Sequence, residues 1–377
     1  MKTNFVNSGI LIFAVFLFLT GCANEEPPAK KVKKSVSMFR NDINRSGLFK
    51  TEPVSIIKKD TFLINTNEPV KSSPVILDTI LYVGGNTNLF YAINLNNYEI
   101  LWRYKAGSDI SSNPCLNDSL VFFGSDDEYF HCLNIKDGSL RWKFKTANYN
   151  WSGPMVFGQA VYFGSNDGFL YALDIDSGKV VWKQKLGTEV RSSPALKDSV
   201  LYIGSISFDF GYMHALDIKT GNEIWKYKVD EGIFSTPAVD DSIVYFGGWH
   251  KNVYALDAGT GTLIWESPTE DAIFSSPAVD NKAVYVGGIN KHFYAFDKLD
   301  GKLLWQYDSE AEIFSSPAVC DSIVYFGDLG KDFYAINKKT GNLIFNYETG
   351  SPITGTCIIF EGQVFFGCDD GKVYCLK

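Results

Sequence analysis

The sequence predicts an all-β protein, an eight-bladed β-propeller of four-stranded antiparallel blades whose ring is closed by an N-terminal strand that completes the last blade. Three observations carry this prediction. The first is a repeat: proline falls at Pro74, Pro114, Pro154, Pro194, Pro237, Pro277 and Pro317, spaced by 40 residues except for one interval of 43, with Cys357 in the eighth slot. A glycine ending runs such as "VYFG" recurs with it, at Gly84, Gly124, Gly164, Gly204, Gly247, Gly287, Gly327 and Gly367. The second is that each unit holds four short β-rich runs, typified by "IFSSPAV", "SIVYFG", "NVYALD" and "TLIW". They are separated by polar turns such as "DDS" and "DxxTG", where Asp or Asn supplies an Asx turn and Gly accepts a positive φ. A period near 40 with four strands per unit fits a propeller blade. The third is the phase of the ends. The repeat opens at Phe62, in an outer-strand aromatic slot, and finishes on "KVYCLK" after a third strand. A strand near Ile56 to Ile64 therefore completes the last blade and removes a free edge, which a linear solenoid would have no use for.

The elements before the ring read in order. One cation at Lys2 precedes an apolar run from Gly9 to Leu19 and then "LTGC", ending at Cys22. The run is too short for a membrane core of about 30 Å, which takes about 20 residues, so residues 1–21 read as a secretory signal. "LTGC" resembles the lipobox of bacterial lipoproteins, which implies lipidation of Cys22. Residues 22–55 hold a tether without apolar periodicity and a short segment before the first blade; residues 56–377 are the propeller. The lysines Lys30, Lys31, Lys33 and Lys34 of the tether read as solvated, with anionic lipid as the other reading. Loss of residues 1–21 removes one lysine and turns the formal charge from −8 to −9. An acidic body argues against nucleic acid as a partner.

Several reactive-looking residues fall into structural slots. His131 and His214 stand where other units carry tyrosine, so packing is their expected role. Cys115 and Cys132 occupy small-residue slots two strands apart and are expected as buried thiols. Cys357 and Cys368 share a hairpin and could pair diagonally, while Cys320, in a turn slot, is expected at the surface. The loops leading into the first strands carry Glu68, Asp109, Glu189, Glu231, Asp271 and Glu312. They read as a solvated rim, with Ca²⁺ coordination as the alternative. His250 and His292 lack partners at metal-ligand spacing, and no phosphate loop or G-x-S-x-G elbow occurs. No catalytic constellation is evident.

The motifs "ALDIDSGKVVW", "ALDIKTGNEIW" and "ALDAGTGTLIW" resemble the tryptophan-docking repeat of PQQ-like, quinoprotein-type propellers, and "MFRNDINRSG" resembles the segment that precedes the first blade in that family. The resemblance implies that Trp102, Trp142, Trp182, Trp225, Trp265 and Trp305 lie on outer strands and dock adjacent blades. Phe62 and Phe345 take the same slot in the first and last outer strands, and Tyr98 replaces the turn glycine of the first blade. Two branches of the family imply different functions. PQQ-dependent dehydrogenases hold the quinone and calcium over the channel, often near a pair of adjacent cysteines. BamB-like outer-membrane assembly lipoproteins are scaffolds. Absence of an adjacent cysteine pair and of a long insertion favours the scaffold, with a PQQ-dependent enzyme or a ligand- or glycan-binding sensor as alternatives.

For a scaffold, the informative positions lie three residues before each proline slot. There Trp151, Arg191, Phe234, Phe274 and Phe314 occupy consecutive blades, and Trp249 lies in a nearby loop. Aromatic residues with arginine make protein-binding hot spots; for the phenylalanines, packing between blades is the competing reading. The expectation is a lipid-anchored protein of the cell envelope, on either face of the outer membrane. It would bind envelope proteins, including outer-membrane assembly machinery, through its loop face, and touch the membrane through the lipid anchor alone.

Overall fold

The computed structural model describes Met1 and residues 35–36, 38–50 and 60–377, and divides into two compact units, Met1–Lys33 and Lys34–Lys377. The readings of Cys22, of the signal and of the tether lysines lie outside the described residues. The described residues of the second unit form eight sheets, each built on a four-stranded antiparallel blade. The fifth blade is typical, with strands Ala238–Asp240, Ile243–Gly247, Asn252–Asp257 and Leu263–Pro268 hydrogen-bonded in that order. Its second and third strands are rich in β-branched and aromatic residues and are buried almost throughout. The fourth alternates, burying Trp265 and Ser267 and exposing Glu266 and Pro268. That alternation is what one covered and one solvated face require.

The ring closes as the phase of the repeat predicts. Asp60–Asn65 pairs antiparallel with Lys372–Leu376, making the eighth sheet a blade with its outer strand from the N-terminal side. A single apolar cluster then joins blades seven, eight and one, including Tyr325, Phe366, Val373, Leu81 and Ile93.

Two repeated devices join the blades, and both explain residues of the repeat. Each docking tryptophan donates its indole N–H to a carbonyl of the next blade, as in Trp142 to Ile175 at 2.9 Å, Trp225 to Ala258 at 2.9 Å and Trp305 to Lys338 at 2.9 Å. The ring of Trp225 lies against Gly261 of the "DAGTG" turn. That glycine has φ +71°, and a Cβ there would fall 2.6 Å from the indole, so the position needs glycine for both conformation and space. The second device is the serine pair before the proline. In the fifth blade the Ser235 hydroxyl bridges to the N–H and carbonyl of Gly247 within its own blade. The next residue, Thr236, donates its N–H to Ser276 of the sixth blade. The equivalent links run from Ser276 to Ser316, Ser316 to Thr356, and Thr356 to Ser73, carrying the chain of hydrogen bonds across the closure.

The segment "MFRNDINRSGLF", residues 38–49, coils inside the channel. Met38 bridges to Cys115 of blade two, and Ser35–Val36 pairs with Val75–Leu77 of blade one. The carbonyls of Ile43, Asn44, Ser46 and Gly47 accept from Leu196, Val239, Val279 and Val319, the residues two beyond the prolines of blades four to seven. Leu48–Phe49 runs parallel to the first strand of blade seven. Arg40 donates to the carbonyls of Pro277 and Pro317, and Arg45 to those of Pro194, Pro154, Gly153 and Phe39. Both arginines are buried, and burial pushes their pKa down to about 9 and about 10, so they remain cationic at neutral pH. Gly47 has φ +67°, and a Cβ there would overlap the Arg40 guanidinium at 2.2 Å. The segment read as preceding the first blade thus packs, over residues 38–49, against the inner strands of the ring.

One cysteine expectation is corrected, and one open question is answered. Cys320 is buried, not at the surface, because it ends the first strand of blade seven opposite Ile323 and is paired alongside Phe49 of the channel segment. Cys357 and Cys368 form no disulfide. Cys357 is turned toward the channel segment, where the Arg40 charge acts on it, whereas the Cys368 thiol donates to the Ser351 carbonyl at 3.3 Å. Cys115 and Cys132 are buried thiols. His131 and His214 are buried in the tyrosine slots; His131 contacts Asp127 at 3.1 Å, as the Tyr171 hydroxyl contacts Asp167 at 2.7 Å in the next blade.

Candidate functional site: the channel mouth

One face of the ring is built by two loops per blade, the loop leading into the first strand and the loop between the second and third. A backbone hydrogen bond ties them in each case, for example Asn166 N–H to Tyr149, Trp249 N–H to Gly232 and Leu329 N–H to Glu312. This link carries Trp249 to the same place as residues three before the proline. The sequence-singled residues therefore meet. Trp151 is followed by the Arg191 guanidinium 4.4 Å over its ring, which also lies 5.2 Å from the ring of Phe234. Phe234 packs against Trp249 at 4.9 Å and Phe274 at 5.2 Å, and Phe274 stacks on Phe314 at 5.1 Å. The result is one continuous arc across blades three to seven. The phenylalanines pack mainly on one another along the mouth, leaving Phe314 37% and Trp249 42% exposed.

Charge orients the arc. Arg191 is held by Glu189 at 2.5 Å, which fixes the guanidinium between two rings. The Trp151 indole N–H donates to Asp126 at 2.8 Å, linking the arc to the polar half of the mouth. That half carries Lys71, Ser111 and Thr354 in the equivalent slots, with Asp109, Asp126 and Asp369 nearby. Burial raises the pKa of all three carboxyls, and Lys71 opposes the shift. Below the mouth, three residues on, stand the prolines whose carbonyls hold Arg40 and Arg45, so the channel segment forms its floor.

Two exposed aromatics of this face escaped the sequence reading. Tyr149, 43% exposed, stacks beside Trp151 at 6.1 Å; its signal is an aromatic five residues before Pro154, a slot with no other aromatic, where three other units carry Asp109, Glu189 and Glu312. Phe208, 93% exposed, tips a hairpin lengthened to Val200–Ile206 and Phe210–Asp217. Its signal is the single 43-residue interval. Phe208, Ile206, Asp209, Glu231 and Trp249 line an open cleft of about 500 Å³.

The family described as Outer membrane protein assembly factor BamB matches residues 54–191, 166–248 and 249–377, the whole of the ring. The chain belongs to this BamB-like family. A search of curated proteins finds no match. Among solved structures, BamB from Moraxella catarrhalis is 21% identical, with a TM-score of 0.69 over 85% of this chain and 97% of that one. The quinohemoprotein alcohol dehydrogenase from Comamonas testosteroni is 12% identical, with a TM-score of 0.77 over 90% and 80%. A computationally designed protein, Ika8, is 17% identical, with a TM-score of 0.73 over 84% and 98%. These likenesses at low identity concern the fold.

Among the described residues no three His, Cys, Asp or Glu side chains converge to hold a metal ion. The acidic residues Glu68, Asp109, Glu189, Glu231, Asp271 and Glu312 are distributed one to a blade around the face. Two are engaged locally, Glu189 with Arg191 and Asp271 with Lys251 at 3.8 Å.

Proposed function

We propose that this protein is a lipid-anchored scaffold of the cell envelope that binds other proteins through the aromatic arc at its channel mouth. The observation that carries the reading is the unbroken contact series from Trp151 through Arg191, Phe234, Trp249 and Phe274 to Phe314. Large rings and an arginine are prearranged there, so little side-chain entropy remains to be lost on binding. Membership of a family described by outer-membrane protein assembly supports assembly machinery as the partner class. The two-sided mouth suits a partner that presents apolar side chains to blades four to seven and cationic or polar groups to Asp109, Asp126 and Asp369.

A Trp151→Ala, Trp249→Ala double variant is expected to keep its fold and lose partner capture, because both side chains stand outside the repeated docking girdle. A single aromatic anchor carries about 2 kcal/mol or more, roughly thirtyfold in affinity. The measurement is capture of outer-membrane assembly proteins beside a thermal melt. Unchanged capture with an unchanged melt moves the docking surface elsewhere. For the anchor, a chain with Cys22→Ser and an ordinary cleavable signal in place of residues 1–21 should appear in the soluble fraction after a salt wash. Retention of that chain by membranes after the wash would count against acylation at Cys22 as the anchor.

A further inference from the structure

We infer that the outer rim of blades two to four is a docking surface for an anionic lipid bilayer, a second membrane contact independent of the anchor. The repeat supplies its own comparison. After each docking aromatic, the first and third residues of the outer strand point to solvent. In blades two, three and four these are Lys143 and Lys145, Lys183 and Lys185, and Lys226 and Lys228, all exposed. Blade one holds Arg103 and Lys105 at the same exposed positions, whereas blades five, six and seven hold Glu266 and Pro268, Gln306 and Asp308, and Asn346 and Glu348. Blunting an open strand edge against unwanted pairing takes charge or proline, of no particular sign. That need is met on both sides of the ring, so the segregation of sign is left over. It occurs in a chain of formal net charge −8.

The lysines also rest on rings. The Lys143 ammonium lies 4.0 Å from the ring centre of Tyr129, and those of Lys183 and Lys185 each 4.7 Å from Phe169. Lys226 lies 5.3 Å over Tyr212, and Lys228 4.7 Å over Phe210. The slot of Tyr129 and Phe169 carries Leu89 in blade one, so the cations there have no ring beneath them, and Asn252, His292 and Asp332 in blades five, six and seven, where no lysine stands opposite. A lysine stem laid along an aromatic ring, with the ammonium beyond it, is the arrangement suited to a headgroup region, where rings sit at the interface and cations reach phosphate. Beside them on the same strands Leu140, Val181 and Ile224 are 45%, 56% and 51% exposed. Such apolar residues recur around the whole rim, so the charge and the ring platforms decide which part of it meets the bilayer.

Local carboxylates leave the band cationic. Lys145 lies 3.7 Å from Glu128 with both side chains largely exposed, and Lys226 lies 3.1 Å from Glu223; exposed pairs of this kind are weak and screened.

The test uses non-acylated residues 22–377 with Cys22→Ser, in a background where Lys30, Lys31, Lys33 and Lys34 are glutamine, so that the tether contributes no charge. Sedimentation is measured with vesicles of phosphatidylcholine alone and of equal parts phosphatidylcholine and phosphatidylglycerol. Binding to the anionic vesicles only is expected, weakening as salt rises. Each lysine near the surface is worth roughly fivefold, so Lys143→Glu, Lys183→Glu and Lys226→Glu together should reduce partition by roughly a hundredfold or more. Arginine at the same three positions should retain it. If the triple variant melts early, the three single Lys→Gln variants are read instead, each with a several-fold loss. Undiminished binding by the charge-altered chains, equal binding to both vesicles, or binding to soluble heparin but not to anionic vesicles overturns the inference. No partner protein is present, so the outcome is independent of the mouth.

Discussion

Deleting residues 60–65 should destabilise the ring more than any single substitution outside the channel. That strand is the outer strand of blade eight, and its loss leaves Lys372–Leu376 as an unpaired edge while opening the cluster shared by blades seven, eight and one. The benchmark is Trp225→Ala, which removes a large docking side chain and its hydrogen bond to Ala258, at an expected cost of about 3–5 kcal/mol. Thermal melting should rank the deletion below the tryptophan variant, and light scattering should report association through the exposed edge. A deleted chain that melts with the intact protein would refute closure by this strand.

Arg45→Ala should have the other large effect. The guanidinium satisfies buried carbonyls of Phe39, Gly153, Pro154 and Pro194, and alanine leaves them facing an unfilled space. A buried acceptor deprived of its donor costs about 1–3 kcal/mol, and hydrogen bonds to charged groups stand at the upper end. Because the bonds share one side chain they are not additive, and a loss of about 4 kcal/mol is expected. Arg45→Lys should recover less than half of it, since an ammonium is a point charge without the planar fork that spans several carbonyls. Denaturant midpoints measure both variants. A value within about 1 kcal/mol of the parent would mean that the channel segment is held by its backbone bonds alone.

The ring was legible in the sequence because each blade repeats the same local chemistry. Trp225 and the residue-proline step each have about seven counterparts and Gly261 has five, against which a reader can align them, and the closing strand follows from the phase of Phe62. The arc was legible for a related reason: Trp151, Arg191 and the phenylalanines share one slot. What was hidden occurs once. Arg40 and Arg45 have no counterpart in any blade, and nothing in "MFRNDINRSG" announces that its partners are prolines more than a hundred residues away. Cys320 was misjudged for the same reason, since the channel segment that covers it cannot be read from the turn it ends. Phe208 lay in the one irregular interval, visible as a length but not as an exposed ring.

The channel segment also determines how the protein bears load. A pull applied on the N-terminal side of Ser35 would load the channel segment first, and this segment grips blades one, two, four, five, six and seven through backbone bonds and blade three through Arg45. Traction is thereby shared around the hub instead of being delivered to one terminal strand, which would peel open bond by bond. A ring fastened at its hub resists tugging in shear, and it can be held by one end without being unzipped from that end.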